Sequence, residues 1–260
     1  MTTPNRFPLA SGGRGGGEVR RRLGARDPAQ RPVVPRPGAP VPNRFRRQGE
    51  QVTDRPFYVL LGPDYAGKSS VMTELSAAMP GWQTLSTDDD LVAGEHRLIS
   101  QLRRNVVRDV LPGLGPTYSA DFLASLLGTA VVHLRDQLER QEPDVPVLMD
   151  SYYYKILAKC RLAGLEMHPL YTWWRSFPLP RGVIYLDVSP ETAWRRSGRG
   201  AQLNPLEHFG DRPEWFGFES YQKNLGKLLL EETGQLPVTV VEERSGTAAT
   251  AAAVREVLAA

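Results

Sequence analysis

Residues 62–69 read Gly-Pro-Asp-Tyr-Ala-Gly-Lys-Ser, a full match in residue type and spacing to the phosphate-cradling pattern G-x-x-x-x-G-K-[ST]. Gly62 and Gly67 allow the backbone to wrap so that consecutive N–H groups point at phosphate oxygens, and the helix that follows adds its positive N-terminal end. The residues expected to cradle a nucleoside triphosphate are therefore Gly62, Asp64, Ala66, Gly67, Lys68, Ser69 and Ser70. Within that set the Lys68 ammonium is suited to the β- and γ-phosphates and the Ser69 hydroxyl to Mg²⁺, so ATP and Mg²⁺ are the expected cofactors.

A second chemistry-bearing group is Asp150, which closes the apolar run Val145 to Met149; the carboxyl end of a strand is where open α/β sheets bind ligands. A carboxylate there suits a Mg²⁺ ligand held through water or a base. The arginines Arg195, Arg196 and Arg199 are the cations available to cover charge that develops during phosphoryl transfer. The acids Asp88, Asp89 and Asp90 follow a short apolar stretch ending at Leu85. The histidines His96, His133, His168 and His208 have no metal-ligand spacing.

Positioning these groups requires a particular frame. From Phe57 onward, short apolar runs alternate with longer helical patterns, which signals a parallel sheet with crossover helices. Strands are expected at 57–61, 82–85, 145–149, 183–188 and 238–241. Between and after them lie helices at about 67–79, 97–110, 119–139, 154–162, 214–232 and 247–258, and one opening at Ser189-Pro190-Glu191, where Ser caps and Pro takes the first turn. In the long helix, Phe122, Leu123, Leu126, Leu127, Ala130, Val131, Leu134 and Leu138 share one face. Residues 168–180 read as aromatic and irregular. The fold class is thus α/β, a P-loop NTPase with a five-stranded parallel sheet and helices on both faces.

Composition bounds the rest. The 260 residues are 41% hydrophobic, ample for a core, and the one cysteine, Cys160, excludes a disulfide framework or a four-cysteine metal site and fits a reducing cytoplasm. No run reaches the roughly 18 apolar residues of a membrane span, and no apolar signal segment begins the chain. The net charge of +3 is unevenly divided: residues 1–55 carry twelve arginines against Glu18, Asp27, Glu50 and Asp54, so the remainder is acidic. That stretch, rich in Gly and Pro, is expected to be a disordered leader before a P-loop domain at 56–260. Without a series of aromatic stacking platforms, a nucleic-acid partner is not expected for it.

Over residues 56–258 the chain resembles the thymidylate kinase family of P-loop nucleoside monophosphate kinases. The P-loop is similar to the family's G-x-[DE]-x-x-G-K-[ST], with Asp64 at the acid that in the family touches the acceptor sugar. Asp150-Ser151-Tyr152 resembles the family's Asp-Arg-[Tyr/His] signature without its arginine. Tyr185 to Ala193, followed by Arg195 and Arg196, is similar to the segment leading into the family's lid. The resemblance implies phosphoryl transfer from ATP to a nucleoside monophosphate or nucleotide-like small molecule, with Lys68, Asp150, Arg195 and Arg199 as catalytic residues and Ser69 and Asp150 on the metal; Asp88 is a catalytic candidate by analogy with the small-molecule alcohol kinases. It also implies a monomer or homodimer.

The chain departs from the family at the acceptor. Where the family has Arg-Glu-Pro-Gly, this chain has Thr87-Asp88-Asp89-Asp90; where it has an Asp-Arg pair in the long helix, this chain has Ala130-Val131. Carboxylates then face a phosphate that needs arginines, although Arg97, Arg103, Arg104 or Arg108 lie close enough in sequence to substitute. Two alternatives therefore stand beside the first: a small-molecule alcohol kinase with Asp88 or Asp90 as base, as in shikimate-type kinases, and a non-catalytic nucleotide-binding regulatory protein.

Overall fold

The computed structural model describes residues 56–260; the leader expected at 1–55 lies outside the described residues. Five strands, β1 (Phe57–Leu61), β2 (Gln83–Leu85), β3 (Val147–Asp150), β4 (Gly182–Asp187) and β5 (Val238–Glu242), form one parallel sheet in the order β2-β3-β1-β4-β5. Successive side chains of a strand point to opposite faces, and both faces of β1 are apolar, so helices must cover both. Phe57, Val59 and Leu61 pack with α3 (Ala120–Arg140), α4 (Tyr152–Leu162), α5 (Pro169–Trp174) and α7 (Trp215–Glu232). On the other face Leu60, Leu148, Ile184 and Leu186 meet Val71, Met72 and Leu75 of α1 (Lys68–Ala78) and Val254 and Leu258 of α8 (Thr247–Ala259). Each such leucine, fully buried, contributes about 1.5–3 kcal/mol.

Register decides where the chemistry sits. Leu60 pairs with Asp150 and Leu61 with Tyr185, so the turn leaving β1 opens at the same sheet edge as the end of β3. The Ser189 hydroxyl accepts from Thr192 N at 3.2 Å and starts α6 (Pro190–Arg196) as expected. Three local expectations change. Residues 168–180 contain the short helix α5, capped by His168 Nδ1, which accepts from Leu170 N at 3.2 Å. Phe122 is 42% exposed and stacks on Tyr118 outside the core. The helix expected to continue to residue 110 ends as α2 (Arg97–Asn105) and widens into a π turn, Val106–Val110.

Candidate active site

At Gly62, φ is +155° and a Cβ would stand 2.8 Å from the Leu186 carbonyl oxygen, so only glycine lets β1 turn this close to β4. Gly67, at φ +89°, begins α1 in the left-handed region. Between them the Lys68 ammonium donates to the carbonyls of Gly62 (3.3 Å) and Pro63 (3.2 Å). Burial, then repulsion from Lys155, pulls its pKa down to about 7 against the attraction of Asp150 and Asp64.

Beside it is a group of oxygen donors. The Ser69 hydroxyl donates to Asp88 Oδ2, whose other oxygen accepts from Arg103. The Ser86 hydroxyl donates to Asp150 Oδ2 and accepts from Asp88 N, both at 3.1 Å, while Ser151 donates to Asp150 Oδ1 at 2.7 Å. Ser86 thus ties the end of β2 to the end of β3. Among the described residues no three His, Cys, Asp or Glu side chains form a metal cage. A hydroxyl and a carboxylate with room for phosphate oxygens and water nevertheless fit Mg²⁺, which keeps several waters and needs few protein ligands. Asp89 pairs outward with Arg104 at 2.5 Å, and Asp90 is exposed.

Asp64 is almost fully buried in the P-loop, and its Oδ1 accepts from both Lys155 (2.8 Å) and Lys159 (3.0 Å), leaving Oδ2 without a hydrogen-bond partner. Burial alone would raise its pKa, but the two lysines outweigh that and hold the carboxyl well below the usual range. Both lysines were missed in the sequence. They are four apart on α4, one helical face, and that spacing after Asp150 was the available signal.

The arginines sort unevenly. Arg196 donates to the carbonyls of Tyr65 (3.3 Å) and Ala66 (3.1 Å) and lines the cleft, whereas Arg195 turns back to Thr192 Oγ1 (2.8 Å) and Arg199 follows the end of α6 at φ +55°. Arg195 and Arg199, both named as catalytic from the sequence, lie outside the cleft lining: Arg195 is turned about 100° from Arg196 around α6, and Arg199 lies past the end of that helix. The segment between α6 and α7 does fold over the P-loop. The Tyr65 hydroxyl donates to Gln202 O (2.9 Å) and Glu207 (3.3 Å), and Lys159 reaches Glu207 at 3.4 Å.

The cleft holds about 840 Å³. Its P-loop end carries Lys68, Ser69, Asp88, Asp150, Lys155 and Arg196; away from it the lining is Ile99, Leu102, Val106, Val107 and Leu111 facing Leu126, Leu127, Ala130 and Leu134 of α3. Tyr153, Tyr154 and Trp174 are core, and Tyr152 is buried at the cleft's floor.

No family model and no curated protein matches this chain. Solved structures do. Deoxyadenosine kinase from M. mycoides, with the products dCMP and a flexible dCDP bound, aligns with a TM-score of 0.52 at 16% identity, covering 78% of this chain and 98% of that one. The same enzyme with bound dATP gives 0.52 and 16%, covering 78% and 100%. Thymidylate kinase from Candida albicans gives 0.53 and 16%, covering 79% and 91%. The fold is that of the P-loop nucleoside and nucleotide kinases. In this kinase fold the P-loop, Asp88, Asp150 and the segment after α6 all meet at one sheet edge. Among the described residues no helix is long and apolar enough to cross a membrane.

Proposed function

We propose that the chain is an ATP- and Mg²⁺-dependent phosphotransferase whose acceptor is a hydroxyl group of a small molecule. The observation that carries this reading is Asp88: its carboxylate stands at the P-loop serine, and the arginine nearest to it, Arg103, is already spent on it. An acceptor phosphate there would compete with that carboxylate for one guanidinium, whereas an alcohol needs a carboxylate beside it. Lys68, Ser69, Asp88 and Asp150 converging on one cleft favours catalysis over nucleotide binding alone.

In this mechanism Asp88 takes the hydroxyl proton as the acceptor oxygen forms its bond to the γ-phosphorus. The bond from that phosphorus to the bridging oxygen breaks, and its electron pair leaves with ADP. Ser69 and Asp150 are the residues that would hold Mg²⁺, which when bound neutralises phosphate charge. Lys68 and Lys155 supply the fixed cations over the transferring group, and Arg196 and Glu207 hold the closing segment in place.

An acceptor screen with labelled ATP, covering alcohols, nucleosides and monophosphates, tests the reading. With the best acceptor, Asp88→Asn should lose about 10²- to 10⁴-fold in turnover with ATP affinity little changed. Phosphorylation of monophosphates alone, undiminished in Asp88→Asn, would sink it. A shift in Mg²⁺ half-saturation in place of turnover would make Asp88 a metal ligand and leave the base unassigned.

A further inference from the structure

We infer that the acceptor is an alcohol with an apolar body, the hydroxyl at one end and hydrocarbon at the other. This rests on the hydroxyl-acceptor reading and adds the substrate class. The cleft is divided along its length: charged and polar side chains cluster at the P-loop end, and the opposite end is aliphatic. Ile99 and Leu102 lie on one face of α2, and the π turn Val106–Val110 that follows brings both Val106 and Val107 to the same space, lined on α3 by Leu127 and Ala130.

Reading a nucleobase requires donors and acceptors aimed at its edge or a flat aromatic partner. The α2 and α3 lining offers no amide side chain; Asn204 lies on the segment after α6, not on that wall, and its Oδ1 accepts from Leu206 N at 2.9 Å. Among the described residues no Phe or Trp lines the cleft, and beyond the P-loop the aromatic lining is Tyr152, buried in the floor among Phe57, Tyr153 and Tyr154. A base or sugar placed against this wall would leave its polar groups desolvated and unpaired, at a cost of roughly tenfold in affinity for each group. A hydrocarbon body gains there, roughly fourfold for each methylene removed from water. The α3 side of the cleft presents only Leu126, Leu127, Ala130 and Leu134, so that wall offers an acceptor phosphate no countercharge.

The test uses the full-length enzyme with labelled ATP, Mg²⁺ and a homologous series of straight-chain and cyclic primary alcohols, beside nucleosides, sugars and nucleoside monophosphates. kcat/KM should climb about fourfold per added methylene until the chamber is full, with nucleosides and sugars far below. Ala130→Val, which narrows the chamber, should move the optimum to smaller alcohols, and Leu127→Asn should raise KM for the best alcohol about tenfold with the Kd for ATP unchanged. Nucleosides or sugars outrunning every apolar alcohol would overturn this inference and leave hydroxyl transfer standing. Transfer to monophosphates alone would overturn both. A flat dependence on alcohol size, an unmoved optimum in Ala130→Val, or no transfer to any alcohol by an enzyme that binds ATP would also overturn the inference.

Discussion

The two ends of the cleft are built by different rules. The P-loop end is a contiguous stretch, Gly62 to Ser70, in which the types of the motif residues follow from phosphate geometry: a glycine where a Cβ would meet the Leu186 carbonyl, a lysine folded onto the loop, a hydroxyl beside the Asp88 carboxylate. The acceptor end is assembled from α2, the π turn and α3, and its residues are ordinary aliphatics that a core would use equally well. Binding a triphosphate constrains sequence locally, because charge must be met by particular atoms. Accepting a varied substrate constrains only shape and polarity, which many sequences satisfy.

If that contrast holds, damage at the P-loop end should be catastrophic. Lys68→Ala should reduce turnover about 10³-fold or more, because a fixed cation over developing charge acts chiefly in the transition state. Its melting temperature should stay close to the parent's, since removing a charged group buried beside Lys155 relieves repulsion. Near-normal turnover in that variant would remove the P-loop from the mechanism.

What could be read from the sequence divides the same way. The five strands, most helices and the P-loop were legible because hydrophobic period, the Ser189 cap and the glycine spacing are local signals. Asp88 was legible as a candidate since it follows a strand end. Lys155 and Lys159 were not, because they reach the P-loop only when β3 lies against β1 and brings α4 beside Asp64. Arg196 could not be told from Arg195 or Arg199 without knowing the phase of α6, a helix of seven residues. The acceptor wall escaped for a similar reason: Leu126, Leu127 and Ala130 were read as one apolar face with Val131 and Leu138, whereas the face is shared between core and cleft.

Lys155→Gln removes an ammonium held at the P-loop by Asp64 and should cost about 10- to 10²-fold in turnover, more than it costs in ATP affinity. Arg199→Ala removes an exposed charge outside the cleft and should leave turnover within about twofold. The reverse order, measured by steady-state kinetics on both variants, would return the catalytic cation to the segment after α6.

The smallest expected effect is a count of protons. With its pKa pulled to about 7 in the ligand-free protein, Lys68 binds fewer protons when folded than when unfolded between about pH 7 and its ordinary 10.5. The unfolded chain binding more protons means stability rises with pH across that window, the cost of the buried charge being fully present below about pH 7 and relieved above it. A triphosphate reverses the local field, since its negative charge favours the ammonium and drives the pKa back up. ATP binding at about pH 8, well above the ~6 of a terminal phosphate, should therefore take up a large fraction of one proton, and binding near pH 6.5 should take up much less. Calorimetric titration in two buffers of unlike ionisation enthalpy reads that number directly. Lys155→Gln should reduce the uptake at pH 8, because without the neighbouring ammonium Lys68 is already more protonated before the nucleotide arrives. Equal uptake in parent and variant would mean that the two ammonium groups do not share the P-loop field, and Lys155 would lose its place over the transferring phosphoryl group.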